Sequence, residues 1–162
     1  WDTSRVTTMA SMFEGAAAFD QPLAFDTARV TDMSRMFLSA AAFNQPLDGW
    51  DVSSVTDMTF MFMFATSFNA DISQWDVNRV TSLHELFQGK TTFNADLSRW
   101  DTSRVTSMFA MFPHARAFNQ SEGAERSYTI PGCVAEVGVR DSVSACLLLL
   151  LLLVVVLLNS HY

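Results

Sequence analysis

The chain has 162 residues, 49% of them hydrophobic, and a net charge of −7. That is enough apolar material for a buried core. Residues 1–120 carry 8 basic and 13 acidic side chains, and the remainder 2 and 4. Without a basic stripe to neutralise phosphates, nucleic acid is excluded as a partner class. The two cysteines, Cys133 and Cys146, both lie late in the chain, so no disulfide framework supports the earlier part and the redox compartment is left open. The sequence opens on Trp1 with neither Met nor an apolar leader and reads as a piece of a longer protein.

From Trp1 onward the chain repeats itself. Trp1, Phe25, Trp50, Trp75 and Trp100 stand 24, 25, 25 and 25 residues apart, which marks five tandem units. Behind that column run Asp2, Asp26, Asp51, Asp76 and Asp101, then Val6, Val30, Val55, Val80 and Val105, then Thr7, Thr31, Thr56, Thr81 and Thr106. Two methionine columns follow, Met9, Met33, Met58 and Met108, and Met12, Met36, Met61 and Met111, with Leu83 and Leu86 filling the fourth unit. Two phenylalanine columns complete the repeat: Phe13, Phe37, Phe62, Phe87 and Phe112, then Phe19, Phe43, Phe68, Phe93 and Phe118.

Within one unit Val55, Met58, Met61, Phe62 and Ala65 recur at spacings of three and four, which predicts a short helix with one apolar face. Ser4, Ser53, Asn78 and Ser103, each two residues before a column Val, are placed to cap it, with Ala28 the exception. The preceding Asp column supplies turn residues. The other half of the unit, such as Phe68–Val77, predicts a short strand or extended segment with Ile72, Trp75 and Val77 inward, although Pro22 and Pro46 fall in it and proline cannot donate to a ladder. One such unit cannot bury its aromatic residues alone, whereas stacked copies bury each side chain against its counterparts. The expected fold is therefore an α/β repeat solenoid of five rungs, leucine-rich-repeat-like. Its expected core includes Trp1, Trp50, Trp75, Trp100, Phe37, Phe62, Phe87, Phe43, Phe68, Phe93, Met33 and Met58.

Segments such as FNADISQWDVNRVTSLHELF and FNQPLDGWDVSSVTDMTFMF resemble the BspA-like leucine-rich-repeat surface proteins. The resemblance covers residues 1 to about 120. It implies a leucine-rich-repeat-type fold, display at a cell surface and adhesion, with no enzymatic activity. Departures from the pattern are Phe25 in the Trp column, Asp20 in the column of Asn44, Asn69, Asn94 and Asn119, and a fifth unit that decays at Gln120–Glu122.

No catalytic, cofactor or metal site is expected. Stacked Asp and Asn could in principle form calcium rungs, but the glycine-rich spacing of such ladders is absent and Pro22 and Pro46 replace Asp71 and Asp96, so turn duty is the favoured role. His84, His114 and His161 stand at variable or terminal positions without metal- or nucleophile-type companions. Arg5, Arg29, Arg79 and Arg104 form a stripe that Ser54 interrupts, read here as solvated side chains pairing loosely with Asp. Phe60, Met63 and Phe64 are apolar residues outside the columns and mark a candidate contact patch.

Beyond the repeats, residues 121–146 read as an irregular linker. Leu147–Leu158 is an unbroken aliphatic run, short for the roughly 30 Å of a hydrocarbon core. It admits three readings: a marginal membrane span, a lipid-anchor signal, or low-complexity sequence without a role. The expected function is non-enzymatic recognition of a protein or glycan at a cell surface or membrane, with a structural spacer or wall component as the alternative.

Overall fold

The computed structural model describes residues 1–90 and 93–112. Within these the five repeats lie side by side in parallel, and each is joined to the next at the same point of the unit. Four isolated parallel bridges, Thr8 to Asp32, Asp32 to Asp57, Asp57 to Ser82 and Ser82 to Ser107, pass along the array. The sequence period is thus also the spatial register.

The short helix expected after each column Val does not form: the described residues contain no helix. A run of turns takes its place. In the second repeat the amides of Met33, Arg35, Phe37 and Ser39 donate to carbonyls of the third repeat, Asp57, Thr59, Met61 and Met63, at 2.8–3.0 Å. The intervening amides of Met36, Leu38 and Ala40 fold back to the carbonyl three residues earlier. Alternate N–H groups therefore serve the neighbouring repeat and the local turn, which leaves none for a continuous i→i−4 ladder. Apolar residues still face inward every three or four positions, so the spacing that predicts a helix is equally satisfied by consecutive turns.

Left-handed backbone makes those turns. Ser11, Arg35, Phe60, Glu85 and Ala110 occupy one column with φ between 50° and 59°. Gly15, Ser39, Phe64 and Gly89 occupy a second with φ between 56° and 78°. A non-glycine residue held there costs about 1–2 kcal/mol, and the hydrogen bonds to the next repeat hold it. The Asp column then fixes the turn ahead of each Val. Asp2, Asp26, Asp51, Asp76 and Asp101 accept, through Oδ1, the amide two residues on, at 2.9–3.1 Å. The Ser4, Ser53, Asn78 and Ser103 backbones are thus donors to Asp, and the capping role expected of their side chains has no helix to serve.

The predicted strand over Phe68–Val77 is also absent. Its residues are inward as expected, with Ile72, Trp75 and Val77 buried, but side chains replace a backbone ladder. Asn44, Asn69 and Asn94 each donate their amide to the Asp20, Asn44 or Asn69 side-chain oxygen of the previous repeat, at 2.9, 2.7 and 3.4 Å. The Asp71 and Asp96 carboxylates accept from Ser73 and Ser98 in tight turns, at the positions equivalent to Pro22 and Pro46.

The core consists of aligned ring columns. Phe13, Phe37, Phe62, Phe87 and Phe112 stack at centroid distances of 5.5–6.0 Å. Within each repeat the second Phe lies against the first, at 4.4, 4.0, 3.9 and 4.1 Å in repeats one to four. The indoles of Trp50, Trp75 and Trp100 are buried and donate Nε1–H back to the carbonyls of Leu23, Leu47 and Ile72 at 3.3, 3.2 and 3.1 Å. Phe25 fills the ring position in the second repeat without a donor to place.

Trp1, expected in the core, is 96% exposed. Trp50, Trp75 and Trp100 each bond to a carbonyl of the preceding repeat, and the described residues begin at Trp1. Met12, in the same first repeat, is also exposed, while its column partners Met36 and Met61 are buried.

Phe62 touches Phe37, Phe68, Trp75 and Phe87 at once and is fully buried. Phe62→Ala is expected to cost about 3–5 kcal/mol in urea unfolding. A loss under about 1 kcal/mol would show that the rings do not bear on one another.

Candidate functional site

Some outward columns differ from repeat to repeat, and the third to fifth repeats place the rings of Phe60, Phe64, His84 and Phe109 in them. Phe60 and Phe64 both stand on left-handed backbone, which turns their side chains away from the inward columns. Their amides donate to the fourth repeat, Phe60 to the His84 carbonyl and Phe64 to that of Gln88, each at 2.9 Å. Met63 closes the turn between them by donating to the Phe60 carbonyl at 3.1 Å. Phe64 is 44% exposed, and Phe60 and Met63 are half-buried. The structure therefore brings the three predicted patch residues together on one turn.

Sequence reasoning missed the patch's extension. The Arg35 guanidinium lies 5.6 Å over the Phe60 ring, the Phe60 and His84 rings meet edge-on at 5.1 Å, and His84 stacks on Phe109 at 5.5 Å. Phe109 is 64% exposed. His84 and Phe109 share a column exactly one period apart, and this was the signal available; a histidine read only as a candidate ligand hides it. His84 Nε2 also lies 3.2 Å from Glu85 Oε1. The result is a mixed cationic and aromatic strip crossing four repeats.

Gly89 makes room for the patch. Its φ is +78°, and a Cβ there would overlap the Phe64 ring, with Cε1 at 2.7 Å. The ring therefore rests directly on bare backbone of the next repeat. Beside it Gln88 Oε1 is buried without a hydrogen-bond partner.

The acidic columns are occupied by structure. Hydrogen bonds from the Asn44 amide and the Gln45 side chain hold the Asp20 carboxyl below the usual range. The Ser53 hydroxyl and amide do so for Asp51, and the Ser73, Ser98 and Ser103 amides with their hydroxyls for Asp71, Asp96 and Asp101. Among the described residues no group of three or more His, Cys, Asp or Glu could hold a metal ion. The stripe residues Arg5, Arg29, Arg79 and Arg104 are exposed. His114, His161, both cysteines, the linker 121–146 and the apolar run Leu147–Leu158 lie outside the described residues. Within those residues no helix is long and apolar enough to cross a membrane.

Repeats aligned in parallel at the period of the sequence define a tandem-repeat protein. The family model described as "Mycoplasma protein of unknown function, DUF285" matches it twice, over residues 1–78 and 47–127. The chain belongs to that family. Comparison with curated proteins and with solved structures gives no match.

Two outcomes follow from this geometry. Gly89→Ala is expected to destabilise the chain by about 1–3 kcal/mol, since a methyl meets both left-handed strain and the Phe64 ring; adding Phe64→Ala should restore part of the loss in thermal melts. The depressed carboxylates stabilise the fold above their unfolded pKa, and that contribution is lost as pH falls through the lower folded values. Between about pH 5 and pH 7 the melting temperature should hold, and below that range it should decline, with Asp51→Asn blunting the decline.

Proposed function

We propose that the chain is a non-enzymatic recognition module: a leucine-rich-repeat-like solenoid of the BspA-like surface type that engages a protein or glycan at a cell surface. The observation that carries this reading is the contrast between columns. The inward ring, valine and methionine or leucine columns keep their chemistry from repeat to repeat, whereas two adjacent outward columns read Ala10, Ser34, Thr59, His84, Phe109 and Ser11, Arg35, Phe60, Glu85, Ala110. A scaffold whose backbone hydrogen bonds run from repeat to repeat presents those differing side chains in fixed places, and preorganised contacts lose little entropy on binding. Aromatic and arginine side chains are also the residues that most often anchor interfaces.

Surface display by this reading would involve the apolar run Leu147–Leu158 as a membrane attachment. A tagged chain should then partition into the membrane fraction and lose that partitioning when residues 145–162 are removed.

The recognition reading is tested on protein and glycan arrays with the full chain. A captured ligand should bind the triple variant Phe60→Ala, Met63→Ala, Phe64→Ala at least about tenfold more weakly, with the thermal melt still cooperative. Absence of binding by a folded chain, or equal binding by the variant, overturns the assignment of the patch.

A further inference from the structure

One inward column passes from alanine to a titratable side chain. Ala16, Ala40 and Ala65 are followed one period later by Lys90, the single lysine of the chain. A methyl column thus receives a four-carbon side chain ending in an amine, and that residue is 0% exposed. Its Nζ donates to the Ala65 carbonyl at 2.6 Å and lies 5.3 Å from the Phe68 ring centroid and 5.7 Å from that of Phe93. Ala65 and Phe68 belong to the third repeat, Lys90 and Phe93 to the fourth. The amine therefore spans the junction between them.

Its surroundings are unusual for a cation. A charged ammonium has three N–H groups, and here one carbonyl accepts while two ring faces offer only a weak cation–π attraction. No carboxylate faces it among the described residues. Glu85 is engaged by His84, and Asp71, Asp76 and Asp96 are exposed and bonded in their own turns. Charging a buried amine without a counter-ion is costly, whereas a neutral amine needs little more than the acceptor it has.

We propose that Lys90 is a proton-operated latch between the third and fourth repeats, shut when its amine is neutral and loosened when it is charged. Burial lowers the Lys90 pKa from 10.5 to about 7, so the opened state binds more protons than the closed one between those two values. Stability then rises with pH across that window and is level below it, where both states are charged. Closed and open values of 7 and 10.5 make the opening constant about fifty-fold smaller at pH 9 than at pH 7.

The single lysine makes the test direct. In the full chain labelled with 13C at lysine Cε, one resonance should titrate with a midpoint near 7 in the folded state and near 10.5 in urea. Unfolding constants from tryptophan fluorescence, taken as the ratio of wild type to Lys90→Met, should fall about fifty-fold from pH 7 to pH 9. Lys90→Ala, which restores the column residue, gives the same comparison if the methionine variant folds poorly. A folded-state midpoint near 10.5, or a ratio independent of pH, overturns the proposal.

Discussion

The structure depends on one constraint: every repeat must place the same atoms at the same height as its neighbour. Amides on the turn segment donate forward to the next repeat, and the Thr31, Thr56, Thr81 and Thr106 amides donate back to the threonine carbonyl one period earlier, at 2.8 Å. Neither set tolerates a slip, because a shift of one residue would exchange the N–H groups that point along the array with those that close local turns. The rings add to this constraint. Stacks held near 5.5–6.0 Å need the phenylalanines aligned to within a fraction of a residue. Dispersion and burial reward the register that the backbone sets.

That constraint explains which parts of the architecture were legible in the sequence. Columns of identical residues at a fixed period are the direct imprint of stacking, and the burial of Trp50, Trp75, Trp100 and the paired phenylalanines follows from them. Secondary structure was harder to read. A chain of turns and an amphipathic helix both turn an apolar residue inward every three or four positions, and the feature that separates them is left-handed backbone. Glycine announces that conformation at Gly15 and Gly89, but Arg35, Phe60, Phe64 and Glu85 adopt it too and give no sign of it. The strand was misjudged because Asn and Asp side chains, rather than carbonyls, receive the amides that a ladder would use.

The contact strip shows the same mixture. Phe60, Met63 and Phe64 stand out as apolar residues off the columns, and the fold gathers them. Arg35, His84 and Phe109 join only because repeats lie in parallel, so that a residue in one unit becomes the neighbour of its counterparts 25 positions away. Lys90 was overlooked for a similar reason: its oddity is visible only against the alanines above it, and its burial only once the third and fourth repeats are in place.

All the joints share one pattern. Each junction exchanges amides and carbonyls both ways, forward on the turn segment and back at the threonines, but each indole reaches back, never forward. The array consequently has a direction, like a string of couplings with plug and socket ends. Whole units can be gained by duplication or lost by deletion while the remaining junctions keep the same backbone hydrogen-bond pattern. The shorter first interval, which leaves the Trp50 indole still bonded to Leu23 at 3.3 Å, shows that the connecting loop can absorb a missing residue as long as the plug still meets its socket.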